Sequence, residues 1–268
     1  MTMKTNYHTH TYLCKHATGK PIDYIKKAIE LGYDEIAITD HGPLIDEIIE
    51  NFYTRRMSYD QYYNNYLPDL AEAVNNYKDQ IKIIKGLEIE YFENMTLNYQ
   101  EFLKDLDMLI IGQHYFYSNG IYHNVYHNLT DDEIKIYGQV VTQAMRTGFF
   151  KIIAHPEIFS YSRKWDNVCD EVAKKIIQTA KECNVYIELN VNGIRNCIER
   201  KKFWKHESGL TNYSYPRIEF FKLVKEANIP VIINDDAHSP ECLSDEYTKE
   251  CHKLANELGL TVLKRIDI

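Results

Sequence analysis

Seven short β-branched runs recur along this 268-residue chain, and longer stretches of helical spacing lie between them. The runs are TNYHTHT, EIAITDHG, IKIIKGLEIEYF, DMLIIGQHYF, FKIIAHPE, VYIELNVNG and PVIINDDAHS. The helical stretches carry their own start and stop signals. PIDYIKKAIELG opens on Pro21 and stops at Gly32, and LTDDEIKIYGQVVTQAMRTG opens on Thr130 with acidic residues behind it and stops at Gly148. WDNVCDEVAKKIIQTAKECN, YPRIEFFKLVKEAN and SPECLSDEYTKECHKLANELG follow the same scheme, and the last leads into a final apolar run, LTVLKRI. Parallel neighbours in a sheet need crossover connections, so strands alternating with helices predict an α/β protein with a parallel sheet. Seven units in series predict closure into a barrel. No Pro/Gly/Ser-rich linker divides the chain, so residues 1–268 are expected to form one domain. The Tyr-rich stretch NFYTRRMSYDQYYNNYLPDLAEAVNNYK is expected to be an insertion plus a helix, its aromatics packed on the barrel rather than binding bases.

Charge and hydropathy narrow the function classes. The 39 acidic and 31 basic side chains give a net charge of −8. Proteins that grip nucleic acid usually carry a basic face, and no long Lys/Arg run is present, so no nucleic-acid partner is expected. No stretch approaches the ~18 apolar residues of a membrane span, and MTMKTNYHTH lacks the apolar core of a signal peptide. No membrane association and a cytoplasmic location are expected. The six cysteines are scattered without a CxxC pair, which predicts free thiols.

In α/β barrels the reactive groups sit where strands end. The first run ends with His8 and His10, which alternation puts on one face, and His16 follows in the loop. The second gives Asp40 and His41, the third Glu88, the fourth His114 and the fifth His155. The sixth gives Asn190 and Asn192, then Arg195, and the seventh gives Asp236 and His238. Seven of the eleven histidines thus fall on one predicted edge. Imidazoles and carboxylates crowded together are costly unless something satisfies them. Divalent metal does so, since neutral imidazole with carboxylate is the ligand set of zinc, iron or manganese. The candidates are too many for one tetrahedral ion and suit two or three.

In order, HTH…H, ITDH, GLE, a strand-end His, AHP and DAH resemble the polymerase and histidinol phosphatase (PHP) family from His8 to His238. HTHTYLCKHATG and ELNVNGIR…YP are most similar to its histidinol-phosphate phosphatase branch. The resemblance implies a distorted (β/α)7 barrel with two or three metal ions (Zn, Mn or Fe) at the C-terminal strand ends. It places His8, His10, Glu88 and Asp236 around one ion. Glu88 bridges to a second, with His114 and His155, while His16, His41 and His238 hold a third. GQHYF and the extra Asp235 in NDDAH depart from the family pattern. Asp40 and Asp235 are expected to orient ligand imidazoles, and Cys14 is expected to be a packed loop thiol.

The resemblance implies hydrolysis of a small phosphate ester, L-histidinol phosphate, to L-histidinol and phosphate. Two ions can acidify a bridging water to the attacking hydroxide and clamp phosphoryl oxygens, with Glu88 and Asp236 in catalytic positions. Arg195, after the one strand expected to supply no ligand, is expected to fork onto phosphate, with Arg163 as the second candidate. His123, His127 and His206 are possible acids for the leaving group. The alternatives are another small phosphomonoester, protein phosphotyrosine, a nuclease, or a non-catalytic metal-binding module. Oligomeric state is not legible.

Overall fold

A computed structural model describes residues 3–49 and 55–268. Residues 51–54 of the Tyr-rich stretch lie outside the described residues. The strands are β1 (Thr5–Asn6), β2 (Glu35–Ile38), β3 (Lys82–Ile89), β4 (Met108–Ile111), the hairpin β5 (Tyr115–Ser118) and β6 (Ile121–Asn124), β7 (Phe150–Ile153), β8 (Tyr186–Asn190), a second hairpin β9 (Phe203–Lys205) and β10 (Thr211–Tyr213), and β11 (Val231–Asn234). Seven form one parallel sheet in the order β1-β2-β3-β4-β7-β8-β11. The sheet curls until its two edges meet, as the alternation of strands and helices predicts. At the seam the backbone ladder is incomplete. Tyr7 N donates to Asn234 Oδ1 (2.9 Å) and Asp235 N to Asn6 Oδ1 (2.7 Å), so two side-chain amides stand in for strand partners. Just above, His10 N donates to the Ala237 carbonyl and Ala237 N to that of His8.

Alternation along the strands sorts the core in two. Tyr7, Ala37, Ile84, Met108, Ile110, Ile152 and Ile232 fill the barrel, and Ile266 of the final apolar run joins them from below. Their neighbours, among them Ile36, Leu109, Ile111 and Ile153, face the helices. Those helices are α1 (Pro21–Glu30), α2 (Asp46–Ile49), α3 (Tyr59–Gln61), α4 (Leu67–Tyr77), α5 (Thr96–Asp105), α6 (Asp131–Arg146), α7 (Asn167–Cys183), α8 (Val191–Glu199), α9 (Ile218–Glu226) and α10 (Glu246–Glu257). Their ends follow local chemistry. Thr130 and Glu133 close a reciprocal cap on α6, and the Asp166 carboxylate caps α7. Gly138 lets α6 and α7 approach, since a Cβ there would press on Val172 at 2.7 Å. Tyr62 and Tyr66 are buried, and the Tyr66 hydroxyl reaches the carbonyls of Ile38 and Gly86, so these aromatics pack on the barrel. The six cysteines are free. Among the described residues no helix is long and apolar enough to cross a membrane.

Candidate metal centre

The nine residues expected as ligands meet at the C-terminal end of the barrel. Glu88, near the end of β3, lies at the middle. Its Oε2 stands 3.4 Å from His8 Nε2, 3.5 Å from His10 Nε2 and 2.9 Å from His41 Nδ1; its Oε1 stands 3.0 Å from His155 Nε2 and 4.0 Å from His114 Nε2. Gly112 makes room for this carboxylate, because a Cβ there would overlap it. Asp236 Oδ1 lies 2.9 Å from His10 Nε2 and 3.7 Å from His8 Nε2. His16 and His238 meet Nε2 to Nε2 at 3.1 Å on the outer side of His10.

Most of these rings are oriented from behind. His8 Nδ1 is 2.8 Å from Glu188 Oε1, His114 Nδ1 3.2 Å from Glu90 Oε1, and His10 Nδ1 3.4 Å from Asp40 Oδ1. His16 Nδ1 faces the Cys14 carbonyl and His238 Nδ1 the Asp236 carbonyl. An Nδ1–H held this way leaves the Nε2 lone pair free to point inward. His41 is turned the other way, Nδ1 to Glu88. His155 and Asp236 take positive φ, +33° and +45°, a conformation that costs energy and recurs at functional sites.

The cluster is unsatisfied by the protein alone. Glu88 Oε2, Asp236 Oδ1, His41 Nδ1 and His155 Nδ1 are buried without a hydrogen-bond partner. His8 and His10 face each other Nε2 to Nε2 at 3.1 Å, which suits two lone pairs only if something positive sits between or beside them. Burial alone would lower His8 and His10, yet the carboxylates Asp236, Glu188 and Glu88 lift His8 well above the ordinary range, and Asp236 and Asp40 with Glu88 lift His10 to about 9. Burial would likewise raise Glu88 and Asp236, but the surrounding imidazoles hold both well below the usual carboxylate range. Burial and His10 drive His41 well down and His238 to about 3, the neutral form that ligates. The pocket is thus short of positive charge. Several subsets converge tightly enough to share one ion: His8, His10 and Asp236; His41, Glu88 and His114; His10, His41 and His238; Cys14, His16 and His238; and His10, Cys14 and Asp40. The donor set and its orphaned atoms fit divalent metal.

A cavity of about 620 Å³ opens over the cluster. Its wall comprises Arg55, Arg56, Tyr115, Asn124, Tyr126, Tyr215, the α8 side chains Asn192, Asn196 and Glu199, and Arg200 at the end of that helix. Arg195 does not line it. Its Nε donates to Asp245 Oδ2 (2.7 Å), Nη1 to the Asp235 carbonyl (2.6 Å) and Nη2 to the Cys242 carbonyl (2.7 Å). The fork expected to grip phosphate is committed to the loop that follows β11. Arg163 pairs with Asp131 and Asp166 beside a separate surface depression. Asp235 contacts no ligand imidazole; it takes Tyr33, Ser244 and Thr248 instead. His123 pairs with Glu133, and neither it, His127 nor His206 lines the cavity. Cys14 is buried beside Asp40.

Three buried acids close to the cluster escaped the sequence reading. Glu188 supports His8, donors on Asn190 and Asn234, and the His155 backbone N–H, so β8 serves the site from below. Glu90 lies behind His114 and is bound through both oxygens by Arg56 at 2.7 and 2.8 Å. Glu157 is buried two residues past His155. The available signal was an acidic residue inside an apolar run, as in YIELN.

A family model described as PHP domain matches residues 6–192. A Deinococcus radiodurans protein named "Probable histidinol-phosphatase" is 22% identical, over 99% of this chain and 98% of its own. A Shewanella loihica "Probable phosphatase" is 24% identical over 96% and 98%. Among solved structures, histidinol phosphate phosphatase of Lactococcus lactis, complexed with Zn, L-histidinol and phosphate, superposes with a TM-score of 0.67 at 16% identity, covering 99% of each chain.

Proposed function

Because this chain belongs to the PHP domain family, we propose that it is a metal-dependent phosphomonoesterase whose substrate is L-histidinol phosphate. One observation carries the reading: a Glu88 carboxylate ringed by imidazoles, with orphaned oxygens on it and on Asp236, at the floor of a cavity sized for a small ester. In this reading His8, His10, Glu88 and Asp236 hold one ion, Glu88, His114 and His155 a second, and His16, His41 and His238 a third. The bound ions supply a water acidified enough to attack phosphorus and positive charge for the phosphoryl oxygens.

The chain's own residues do the rest. Glu188, Glu90 and Asp40 fix the rings of His8, His114 and His10, so the Nε2 atoms are aimed before substrate arrives. Arg55, exposed on the wall and adding after burial and His10 to the forces that lower His16, is placed to meet the phosphate dianion in place of Arg195. Tyr126, half-buried against His114, and Tyr215, buried against His155, exclude bulk water from that side and so strengthen the fields acting on the ester. The generic phosphatase name of one relative keeps a second reading open, another small phosphomonoester on the same site.

The test is direct. The purified protein, loaded separately with Zn and Mn, is assayed for phosphate release from histidinol phosphate, sugar phosphates and phosphotyrosine. The expected result is release that depends on metal and is fastest with histidinol phosphate. Faster turnover of another ester would transfer the substrate assignment; no release from any ester would overturn the phosphatase reading.

A further inference from the structure

Asp40, His41 and Glu88 stand where β2 and β3 reach the rim, and the ladder joining these two strands has a break just below them. Pairing runs from Glu35 opposite Lys82 to Ile38 opposite Lys85, and resumes only at His41 opposite Glu88. A regular parallel ladder spaces its bonds evenly. Here Glu88 N splits its bond between the Thr39 and Asp40 carbonyls, at 3.0 and 3.1 Å. One side chain from outside the sheet fills the break. The Tyr66 hydroxyl shares its proton between the carbonyls of Gly86 (2.7 Å) and Ile38 (3.0 Å), and Asp40 N donates back to it at 3.4 Å.

A local irregularity brings that hydroxyl into place. α3, the turn Tyr62–Tyr66 and α4 run on as one helix over residues 59–77, yet Pro68 in its path has no N–H to give to Asn64. Leu67 N reaches instead five residues back, to the Tyr62 carbonyl. Widened turns of this kind recur at functional sites. This one buries Tyr62 and Tyr66 together, but their hydroxyls differ. That of Tyr62 is buried without a hydrogen-bond partner among the described residues, whereas that of Tyr66 meets three backbone groups.

We propose that Tyr66 is a positioning residue for the metal centre: its hydroxyl, set in the break, fixes how Asp40 and His41 face Glu88. Asp40 orients His10, and His41 Nδ1 stands 2.9 Å from Glu88 Oε2, so one oxygen outside the sheet acts on two ligand rings and on the carboxylate between them. This rests on the metal-dependent reading of the site and is indifferent to which ester is cleaved. Tyr66→Phe keeps the ring but leaves backbone groups unmet in a dry place, which the two strands relieve by shifting.

The test compares the parent, Tyr66→Phe and Tyr62→Phe, each variant losing one buried hydroxyl. Zinc affinity is read by competition with a chromophoric chelator, and ligand geometry by the visible bands of the protein saturated with cobalt. Tyr66→Phe should weaken zinc binding about 10-fold, as loss of a group behind a ligand does, and should shift the cobalt bands. Tyr62→Phe should match the parent in both. Urea unfolding of the metal-free proteins separates a structural role: a Tyr66→Phe protein with parental zinc affinity and cobalt bands, whatever its stability, makes Tyr66 scaffold alone and overturns the assignment. Equal weakening in Tyr62→Phe overturns it too, because any lost hydroxyl would then suffice. A parent that binds no zinc removes the metal-dependent reading, and this proposal with it.

Discussion

Glu88 and Glu90 stand two residues apart at the end of β3, and both are buried, yet they meet opposite environments. Glu90 has both oxygens on the Arg56 guanidinium, and although burial alone would raise it, Arg56 and His114 hold it well below the ordinary carboxylate range. Glu88 has imidazoles around it and an oxygen with no donor. Asp235 and Asp236 repeat the contrast one residue apart: the first is bonded by Tyr33, Thr248 and Ser244, the second faces His8 and His10 with Oδ1 orphaned. A buried carboxylate that finds a cation or several donors within the chain serves the fold. One left among imidazoles with an oxygen unpaired is open to a partner from solution, and that difference separates scaffold from candidate site.

Four measurements break or sharpen this contrast. The largest effect is expected from Glu88→Ala, which should lower kcat/KM for phosphate release on the order of 10,000-fold, about 5 kcal/mol. Elemental analysis should find metal lost, while the metal-free variant unfolds within about 1 kcal/mol of the metal-free parent; full metal content with parental turnover would erase the distinction. Next, Arg56→Met strands Glu90 and should cost about 3–4 kcal/mol in urea unfolding, with part recovered when Glu90→Gln is added. Should Arg56→Met unfold like the parent, Glu90 is no better satisfied than Glu88. Third, zinc at about 100 times its Kd should stabilise the parent by about 2.7 kcal/mol and Glu88→Ala by clearly less. Equal stabilisation of both would place the binding elsewhere. The smallest effect is that of Arg195→Lys, which loses the fork to Asp245 and two carbonyls and should cost about 1 kcal/mol in stability. A tenfold fall in kcat/KM with metal intact would instead return Arg195 to the substrate.

The barrel was legible because strand and helix periods differ and seven units alternate without a break. The nine converging residues were legible because a parallel barrel brings every strand's C-terminal end to one rim, so position in sequence becomes position in space. Pairings across the chain were not. Whether Arg195 meets a phosphate or Asp245, fifty residues on, depends on how α8 and α10 approach, and no local period encodes that. The two hairpins were also missed, although Asn119-Gly120 between aromatic runs is a strong turn signal and both residues take positive φ. Glu90 and Glu188 were passed over because a carboxylate that supports an imidazole looks, in sequence, like any acid in a strand.

The seam between β1 and β11 gives the cluster a second consequence. His8 and His10 ride one lip of that joint, Asp236 and His238 the other, and below them the ring is closed by the Asn6 and Asn234 amides in place of a full ladder. An ion gripped by His8, His10 and Asp236 would clasp the two lips together. The amide protons of Tyr7, His10, Asp235 and Ala237 would then exchange slowly with solvent in the loaded protein and quickly in the stripped one. Loading the site would tighten the barrel at its weakest joint, so that the stiffness of the ring and its readiness for chemistry rise and fall together.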